Sequence, residues 1–352
     1  MTRIRVEPLT LTLIKPFKIS YGTSYTRQAA LIHLEVAGLA GIGEAPIVPY
    51  YHETFERIAA TCQQAEALLV GIQPEAIEEN RARLEGLSGD VSPAAISAID
   101  CALHDLWGKS QGQAVFQLWG LENKIKAYNS YTLAIDKDKE AYIAQIIQQR
   151  DKPVLKLKLG SGDLDTDYQL VQLARQYAEN QQLCVDANGA WTAEEALQII
   201  PKIAEFDLLF VEQPIAKNKL EDWVYLRERL SAECPELIAD ESVQGLDSLS
   251  DLLDIVDGIN IKLAKCRGLA PAKEMIRVAK AKGLKVMLGC MVSTSVDITA
   301  IAHLAPLADY LDLDGNLLIK DDPYEGVIQA QGRIQLRPKA GLGVQKRQKE
   351  NT

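Results

Sequence analysis

Residues Leu183–Ser242 read LCVDANGAWTAEEALQIIPKIAEFDLLFVEQPIAKNKLEDWVYLRERLSAECPELIADES. Three short apolar runs in this stretch each end in a carboxylate, at Asp186, Glu212 and Asp240. Segments with helical spacing, such as AEEALQIIPKIAEF at Ala193–Phe206, separate them. A short apolar run followed by a 3.6-residue period is one strand–helix unit of a parallel sheet. The same texture extends upstream to IKAYNSYT (Ile125–Thr132) and PVLKLKLG (Pro153–Gly160). Downstream it continues through GINIKL (Gly258–Leu263), KVMLGC (Lys285–Cys290) and YLDLDG (Tyr310–Gly315). Eight strand units separated by helices predict a closed parallel barrel, not an open doubly wound sheet. After the eighth strand no helix is evident, so the expectation for residues 121–318 is a modified (β/α)7β TIM barrel of the α/β class.

The chain has 352 residues, roughly 100 more than the ~250 that such a barrel requires. Residues 1–120 account for the surplus. Ile4–Ile14 alternates like a strand, Ala29–Ala37 reads as a second strand, and Glu53–Leu84 has helical spacing. Ser92-Pro93 then opens SPAAISAIDCALHDLWGK, with proline at the first helical position. Strands followed by helices predict an α+β unit. Residues 319–352 look like loops and a short hairpin that return to pack against it.

A hydrophobic fraction of 47% and a charged fraction of 24% exclude disorder and disulfide scaffolds. The net charge of −10 argues against nucleic acid and against anionic membrane surfaces, which would repel the chain. Six scattered cysteines without a CxxC pair read as reduced thiols. The start lacks a signal-like apolar stretch, and no window is apolar enough to span a membrane. The expectation is a cytoplasmic protein, with homo-oligomerisation plausible for the fold.

Barrels carry their chemistry at the C-terminal ends of the strands. Asp186, Glu212 and Asp240 lie 26 and 28 residues apart, one βα unit each, so three carboxylates converge from neighbouring strands. A single strand-end Asp can serve as a helix N-cap, but three on consecutive strands point to a cation. Oxygen donors with no Cys or His nearby favour Mg²⁺ over zinc. On the second strand, alternation turns Lys156 and Lys158 inward, where a lysine needs a charge partner or a task. Lys262 ends the sixth strand, opposite the second in an eight-membered ring. Lys158 and Lys262 should therefore face each other across the metal. Two opposed bases suit removal of a proton from one face of a carbon and its return to the other, α to a carboxylate, with Mg²⁺ stabilising the enediolate. Burial and the cation would lower their pKa values. The rival reading makes both lysines salt-bridge partners of the carboxylates.

Five ordered motifs carry a resemblance: KLKLG, VDANGAW, VEQP, ADES and NIKLAKCRG. With GEAP (Gly43–Pro46) and AIDCALHDLWGK (Ala98–Lys109), they resemble the enolase superfamily, specifically its muconate-lactonizing-enzyme subgroup, over essentially the whole chain. The resemblance implies that residues 1–120 are a capping domain over the barrel mouth. It implies Lys158 and Lys262 as an acid/base pair, one Mg²⁺ per subunit on Asp186, Glu212 and Asp240, and electrostatic support of Lys158 by Lys156. Lys262 is preferred to Lys265, which falls in the loop beyond the strand. YLDLDG resembles the Asp-x-Asp motif of dipeptide epimerases, where two carboxylates hold the substrate's α-ammonium group; Asp312 and Asp314 would do so here. A plain strand end before a turn at Gly315 is the alternative. GCM (Gly289–Met291) also looks like that group. Strand seven offers no histidine base, and His303, within ITAIAHLA, reads as a packed residue.

The reaction expected is inversion of the α-carbon of a dipeptide's C-terminal residue. Around the substrate the expected residues are Lys156, Asp312, Asp314, Thr132, Tyr21, Glu53, Met291 and Asp297. Thr132, at the end of the first strand, could equally be a plain cap. Ala-Glu epimerases that the chain resembles pair the substrate's side-chain carboxylate with an Arg in the capping-domain loop. Here that loop reads KISYGTSYTRQ, with Tyr21 and Gly22 in the matching place and Arg27 further along. An acidic second residue is therefore disfavoured. A neutral pocket of Ile19, Tyr21, Tyr25 and Tyr51, or a cationic preference set by Glu53 and Asp297, remain the two readings. Rival activities keep the scaffold but not the Asp-x-Asp clamp: an o-succinylbenzoate-synthase or cycloisomerase reaction, or a non-catalytic ligand-binding barrel. A Schiff-base aldolase would need no convergent carboxylates.

Overall fold

The computed structural model describes residues 2–19 and 22–348. Tyr21 lies outside them. Strand β1 (Arg3–Ile19) pairs antiparallel with β2 (Gly22–Val36), which turns at Ala37-Gly38 into β3 (Leu39–Ile47). Both turn residues have positive φ, as a two-residue hairpin requires. The sequence reading expected only two strands here, because glycine and proline weaken β3 as a pattern. Those glycines have a packing reason. A Cβ on Gly41 or Gly43 would strike the backbone of Ala102 or Ala98, so β3 presses directly on a helix. That helix is α3 (Pro93–Gln111), which follows α1 (Phe55–Leu68) and α2 (Ile77–Arg83) and precedes the single turn α4 (Val115–Leu118). Its first turn is capped by Ser92, whose hydroxyl accepts from Ala95 N, with Pro93 at N1.

Eight strands then alternate with helices: β4 (Ser130–Leu133), α5 (Lys139–Gln149), β5 (Val154–Lys158), α6 (Leu164–Tyr177), β6 (Gln182–Asp186), α7 (Ala193–Ile203), β7 (Leu208–Glu212), α8 (Leu220–Arg229), β8 (Glu236–Ala239), α9 (Leu246–Ser250), β9 (Gly258–Ile261), α10 (Leu263–Cys266), α11 (Leu269–Ala281), β10 (Lys285–Gly289), α12 (Ser295–Ala302) and β11 (Tyr310–Asp312). Among the described residues they form one parallel sheet in sequence order, from β4 to β11. A bridge from Asn129 to Leu311 and the bond from Leu313 N to Asn129 Oδ1 (2.6 Å) join its two edges. The barrel is therefore closed, with seven βα units and a final strand that, among the described residues, no α-helix follows, as its sequence texture implies. Among the described residues, no helix is long and apolar enough to cross a membrane.

Alternation along these strands builds the barrel interior in layers. Val154, Cys184, Phe210, Ile238 and Met287 form an apolar layer inside it. Two residues further along, the same inward positions carry Lys156, Asp186, Glu212, Asp240 and Gly289. The polar site thus stands on an apolar floor.

Three buried acids tie the capping domain to the barrel and to the last segment. Asp100 accepts from Leu269 N and Ala270 N at the start of α11 (2.7 and 3.3 Å). Asp105 accepts from Ile42 N and Leu342 N (3.1 and 2.8 Å). Glu44, from GEAP, accepts from Thr294 N (3.0 Å) before α12. His303 accepts from Phe116 N at Nδ1 and faces Leu342 O with Nε2, and burial lowers its pKa to about 4. It is neutral and structural.

Candidate active site

Asp186 and Glu212 end β6 and β7, Asp240 directly follows the neighbouring β8, and each is fully buried. One oxygen of each lies within 4.8 Å of the others, a set that could hold a metal ion. Four lysines surround them. Lys158 Nζ donates to Asp186 Oδ2 (2.6 Å) and Lys262 Nζ to Asp240 Oδ2 (2.7 Å). Lys156 Nζ lies 2.5 Å from Glu212, 2.7 Å from Asp312 and 3.1 Å from Asp186. Lys265 Nζ donates to Asp240 Oδ1 (2.5 Å) and to the Asp240 carbonyl.

The donor set fits a hard divalent cation. All its atoms are carboxylate oxygens, and Glu212 Oε2, though near Lys156, lies outside hydrogen-bond geometry. Burial would push the Asp186 carboxyl up, but Lys158 and Lys156 beside it hold it at about 2. Glu212, by contrast, is pushed up to about 8 by burial and by Asp186. Burial also opposes the charge on Lys262, yet Asp240 and Glu212 hold it well above the ordinary lysine value, and Asp312 and Glu212 do the same for Lys156. For these two lysines, carboxylates within hydrogen-bond reach outweigh desolvation.

Above the carboxylates opens a cavity of about 420 Å³ whose wall includes Lys158, Lys262, Thr132, Met291, Asp312 and Asp314. Asp312 Oδ1 accepts from Ser130 Oγ (2.5 Å), and Asp314 Oδ2 accepts from Thr132 N (2.8 Å). Six of the residues expected around the reaction therefore share one wall, with the triad beneath them. Tyr50, Tyr51, Ile47 and Arg27 complete it from the capping-domain side. Tyr25 is exposed instead (69%) and is not among the cavity's lining residues.

Three of the residues expected around the substrate do not line this cavity. Glu53 does not face this cavity: it is buried against the start of α3, accepting from Ser92 Oγ (2.6 Å) and Ala94 N (3.3 Å). A carboxylate there complements the helix dipole. Asp297 is buried in the first turn of α12, bonded to Ser293 Oγ (3.2 Å), and also lies off the cavity wall. Lys156 is only 1% exposed and stands behind the carboxylates, in contact with Glu212, Asp312 and Asp186.

The sequence reading also missed residues. By sequence Lys265 falls in the loop beyond the strand, but α10 begins at once after Lys262 and returns it to Asp240. Gln213 of VEQP, held at positive φ, accepts from Asp240 N (2.9 Å) and donates to Ile215 O (2.7 Å), fixing the loop beside the site. Asn260 Nδ2 donates to Glu212 Oε1 (2.7 Å), and Asn188 Nδ2 to Glu241 Oε1 (3.0 Å). Side-chain amides one or two residues from the expected groups were the available signal.

Residues 140–350 match the family described as enolase C-terminal domain-like, and residues 1–120 match the mandelate racemase/muconate lactonizing enzyme N-terminal domain. The chain belongs to the mandelate racemase/muconate lactonizing enzyme family of the enolase superfamily. It is 34% identical to an L-Ala-D/L-amino acid epimerase of Maribacter sp., over 97% of this chain and 98% of that one. A hydrophobic dipeptide epimerase of Enterococcus faecalis is 30% identical, over 97% and 98%. The solved structure of an E. faecalis dipeptide epimerase with Mg and L-Leu-L-Tyr superposes with a TM-score of 0.89 at 29% identity, covering 97% of this chain and 98% of that chain. With relatives of this kind, this member of the family is an isomerase of the epimerase type.

Proposed function

We propose that the protein is a Mg²⁺-dependent dipeptide epimerase that inverts the α-carbon of the C-terminal residue. One observation carries the reading: Lys158 and Lys262 enter a single cavity together with the paired carboxylates Asp312 and Asp314. The two acids suit a cationic group, and crowding shows in Asp314, which burial and Asp312 push up to about 6. An α-ammonium placed between them leaves the rest of a dipeptide to run towards the lysines. The E. faecalis relative, with Mg and a dipeptide bound, supports the same ligand classes here.

Asp186, Glu212 and Asp240 would hold the metal. Bound there, a divalent cation neutralises the carboxylates, frees the lysines to titrate nearer neutrality and stabilises negative charge on the substrate's carboxylate oxygens. In the proton transfer, one lysine in its neutral form takes the α-proton, and the bonding pair moves into the substrate carboxylate to give an enediolate. The opposite lysine, entering as the ammonium, returns a proton to the other face. The two lysines thereby exchange protonation states and the carbon is inverted. Lys156 supports this by holding Asp312, Glu212 and Asp186 in place. Lys265 fixes Asp240 from behind.

Incubating L,L-dipeptides with the enzyme and Mg²⁺ in D₂O should give deuterium at the C-terminal α-carbon together with the L,D-epimer. No incorporation from any dipeptide refutes the reading. Asp312→Leu should abolish this turnover; retention would favour a family reaction without an ammonium clamp. With Ile47, Tyr50 and Tyr51 on the wall and Arg27 among them, Ala-Phe, Ala-Glu and Ala-Lys are the comparison for the second side chain.

A further inference from the structure

Part of the capping-domain side of the catalytic cavity is one short turn. Pro49–Tyr51 forms a single 3₁₀ turn with no buried residue, and both its tyrosines line the cavity that Lys158 and Lys262 enter. The two rings meet edge to face, with centroids 5.0 Å apart. Further hollows adjoin the same rings, one of about 420 Å³ beside Tyr50 and one of about 190 Å³ beside Tyr51. Packing therefore leaves part of this wall unsupported. Lys217 borders both of those hollows and is not among the residues lining the catalytic cavity. Its Nζ lies 4.5 Å from the centre of the Tyr50 ring and 5.5 Å from that of Tyr51. An ammonium within about 6 Å of a ring centre is attracted by the negative face of the ring.

The lysine itself is held from the barrel. It lies in the loop after β7, where Gln213 Nε2 donates to Ile215 O (2.7 Å) and to Ser242 Oγ (2.9 Å). Ser242 Oγ donates in turn to the Lys217 carbonyl (3.2 Å) and accepts from Trp223 Nε1 (3.2 Å). These bonds fix where the Lys217 side chain starts and make no use of its ammonium. Gln213 directly follows Glu212, and Ser242 lies two residues beyond Asp240. The ammonium thus ties the tyrosine wall to the loops that leave the carboxylate-bearing strand ends.

We propose that Lys217 is a positioning residue for epimerisation: its ammonium holds the rings of Tyr50 and Tyr51 against the barrel, and the wall so fixed lowers KM for the dipeptide. Lys217 takes no part in the proton transfer. The proposal rests on the dipeptide reading above for its substrate, whereas the holding of the turn can be measured without any substrate.

The test pairs kinetics with hydrogen exchange on the whole protein. Lys217→Met keeps an unbranched stem and removes the charge. It should raise KM by about threefold to tenfold, the range for loss of a partly exposed cation over aromatic rings, with kcat within about twofold of wild type. The amides of Tyr51, His52 and Glu53, which donate to Val48 O and Pro49 O, should exchange faster by a similar factor while those of α3 keep the wild-type rate. Lys217→Arg, whose guanidinium can also lie over a ring, should restore both values. Unchanged exchange at residues 51–53 in folded Lys217→Met overturns the proposal, as does faster exchange with an unchanged KM. A Lys217→Arg variant as impaired as Lys217→Met overturns it too, since the cation is then not what matters. Absence of turnover by the wild-type enzyme with every dipeptide instead refutes the dipeptide reading, and exchange at residues 51–53 still decides whether Lys217 holds the turn.

Discussion

Lys158 and Lys262 reach the carboxylates from β5 and from the residue just after β9, on separate arcs of the closed barrel. If each serves one face of the substrate carbon, loss of either should stop epimerisation without stopping every proton transfer. Lys158→Ala and Lys262→Ala should each lower epimerisation by about 10²–10⁴-fold, the range for removal of a positioned acid or base. Each variant should still exchange the α-proton of one epimer, and the two variants should prefer opposite epimers. Following L,L- and L,D-dipeptides separately in D₂O by NMR measures this, and exchange of both epimers by one variant would remove the two-base assignment. At this scale the sequence was informative about direction but not depth. Period-two alternation turned Lys156 and Lys158 inward, yet only the packed barrel shows Lys156 sealed beneath Asp312 while Lys158 borders the cavity. Lys265 was missed for a related reason: distance along the chain from a strand says little once α10 folds back within a single turn.

At the scale of elements, α12 depends on the capping domain for its N-terminus. Glu44 of β3 accepts from Thr294 N and Oγ1, Asp322 accepts from Ser295 N (2.9 Å) and Oγ (2.6 Å), and Asp297 lies in the first turn. Burial raises the Glu44 carboxyl to about 8, with Asp297 adding to the rise, and burial raises Asp297 to about 7. Both acids thus keep their protons in the folded protein at pH values where the unfolded chain has released them. Below pH ~4.5 folded and unfolded states bind the same protons at Glu44, so that contribution to stability is complete. As pH rises from there to about 8 it is lost, and above 8 the loss levels off. Glu44→Gln keeps an acceptor for Thr294 but cannot ionise. Urea unfolding at pH 5, 7 and 9 should therefore show a shallower decline in the variant, by on the order of 3 kcal/mol across the range. Equal declines would show that Glu44 ionises freely in the fold. Glu53 and Asp297, two of the three expected residues that do not line the cavity, are both helix-start acids. Sequence spacing places such a residue near a loop, whereas its partners, Ser92 and Ala94 for Glu53 and Ser293 for Asp297, are set by how the chain packs around it. The missed β3 has the same origin, since Gly41 and Gly43 acquire meaning only against α3.

For the whole molecule, the barrel was legible because its period repeats and because each inward strand position follows from the one two residues earlier. The apolar floor of Val154, Cys184, Phe210, Ile238 and Met287 and the polar layer above it are one pattern read at two heights. The docking of the capping domain through Asp100 and Asp105 was not legible, because both acids sit in the middle of an apolar helix and their partners lie in α11 and the last segment. Four lysines and the carboxylates of Asp186, Glu212, Asp240 and Asp312 share that polar layer, and Glu212 is the member held least firmly in its charged form. A cation that binds the folded triad but not the unfolded chain stabilises the whole barrel by mass action. At a hundred times its dissociation constant the gain is about 2.7 kcal/mol, which for a chain of this size is a few degrees in Tm. Thermal scans of chelator-treated protein should therefore shift upward with Mg²⁺ in a saturable way, while matched NaCl leaves them in place. Dipeptide epimerisation should vanish with chelation and return along the same titration curve. Glu212→Gln should fold, lose the Mg²⁺-dependent shift and lose activity together. A chelated enzyme that keeps full turnover, or a Tm indifferent to Mg²⁺ while Glu212→Gln matches wild type, would remove the metal from the mechanism and leave the lysines and carboxylates as a closed salt-bridge network.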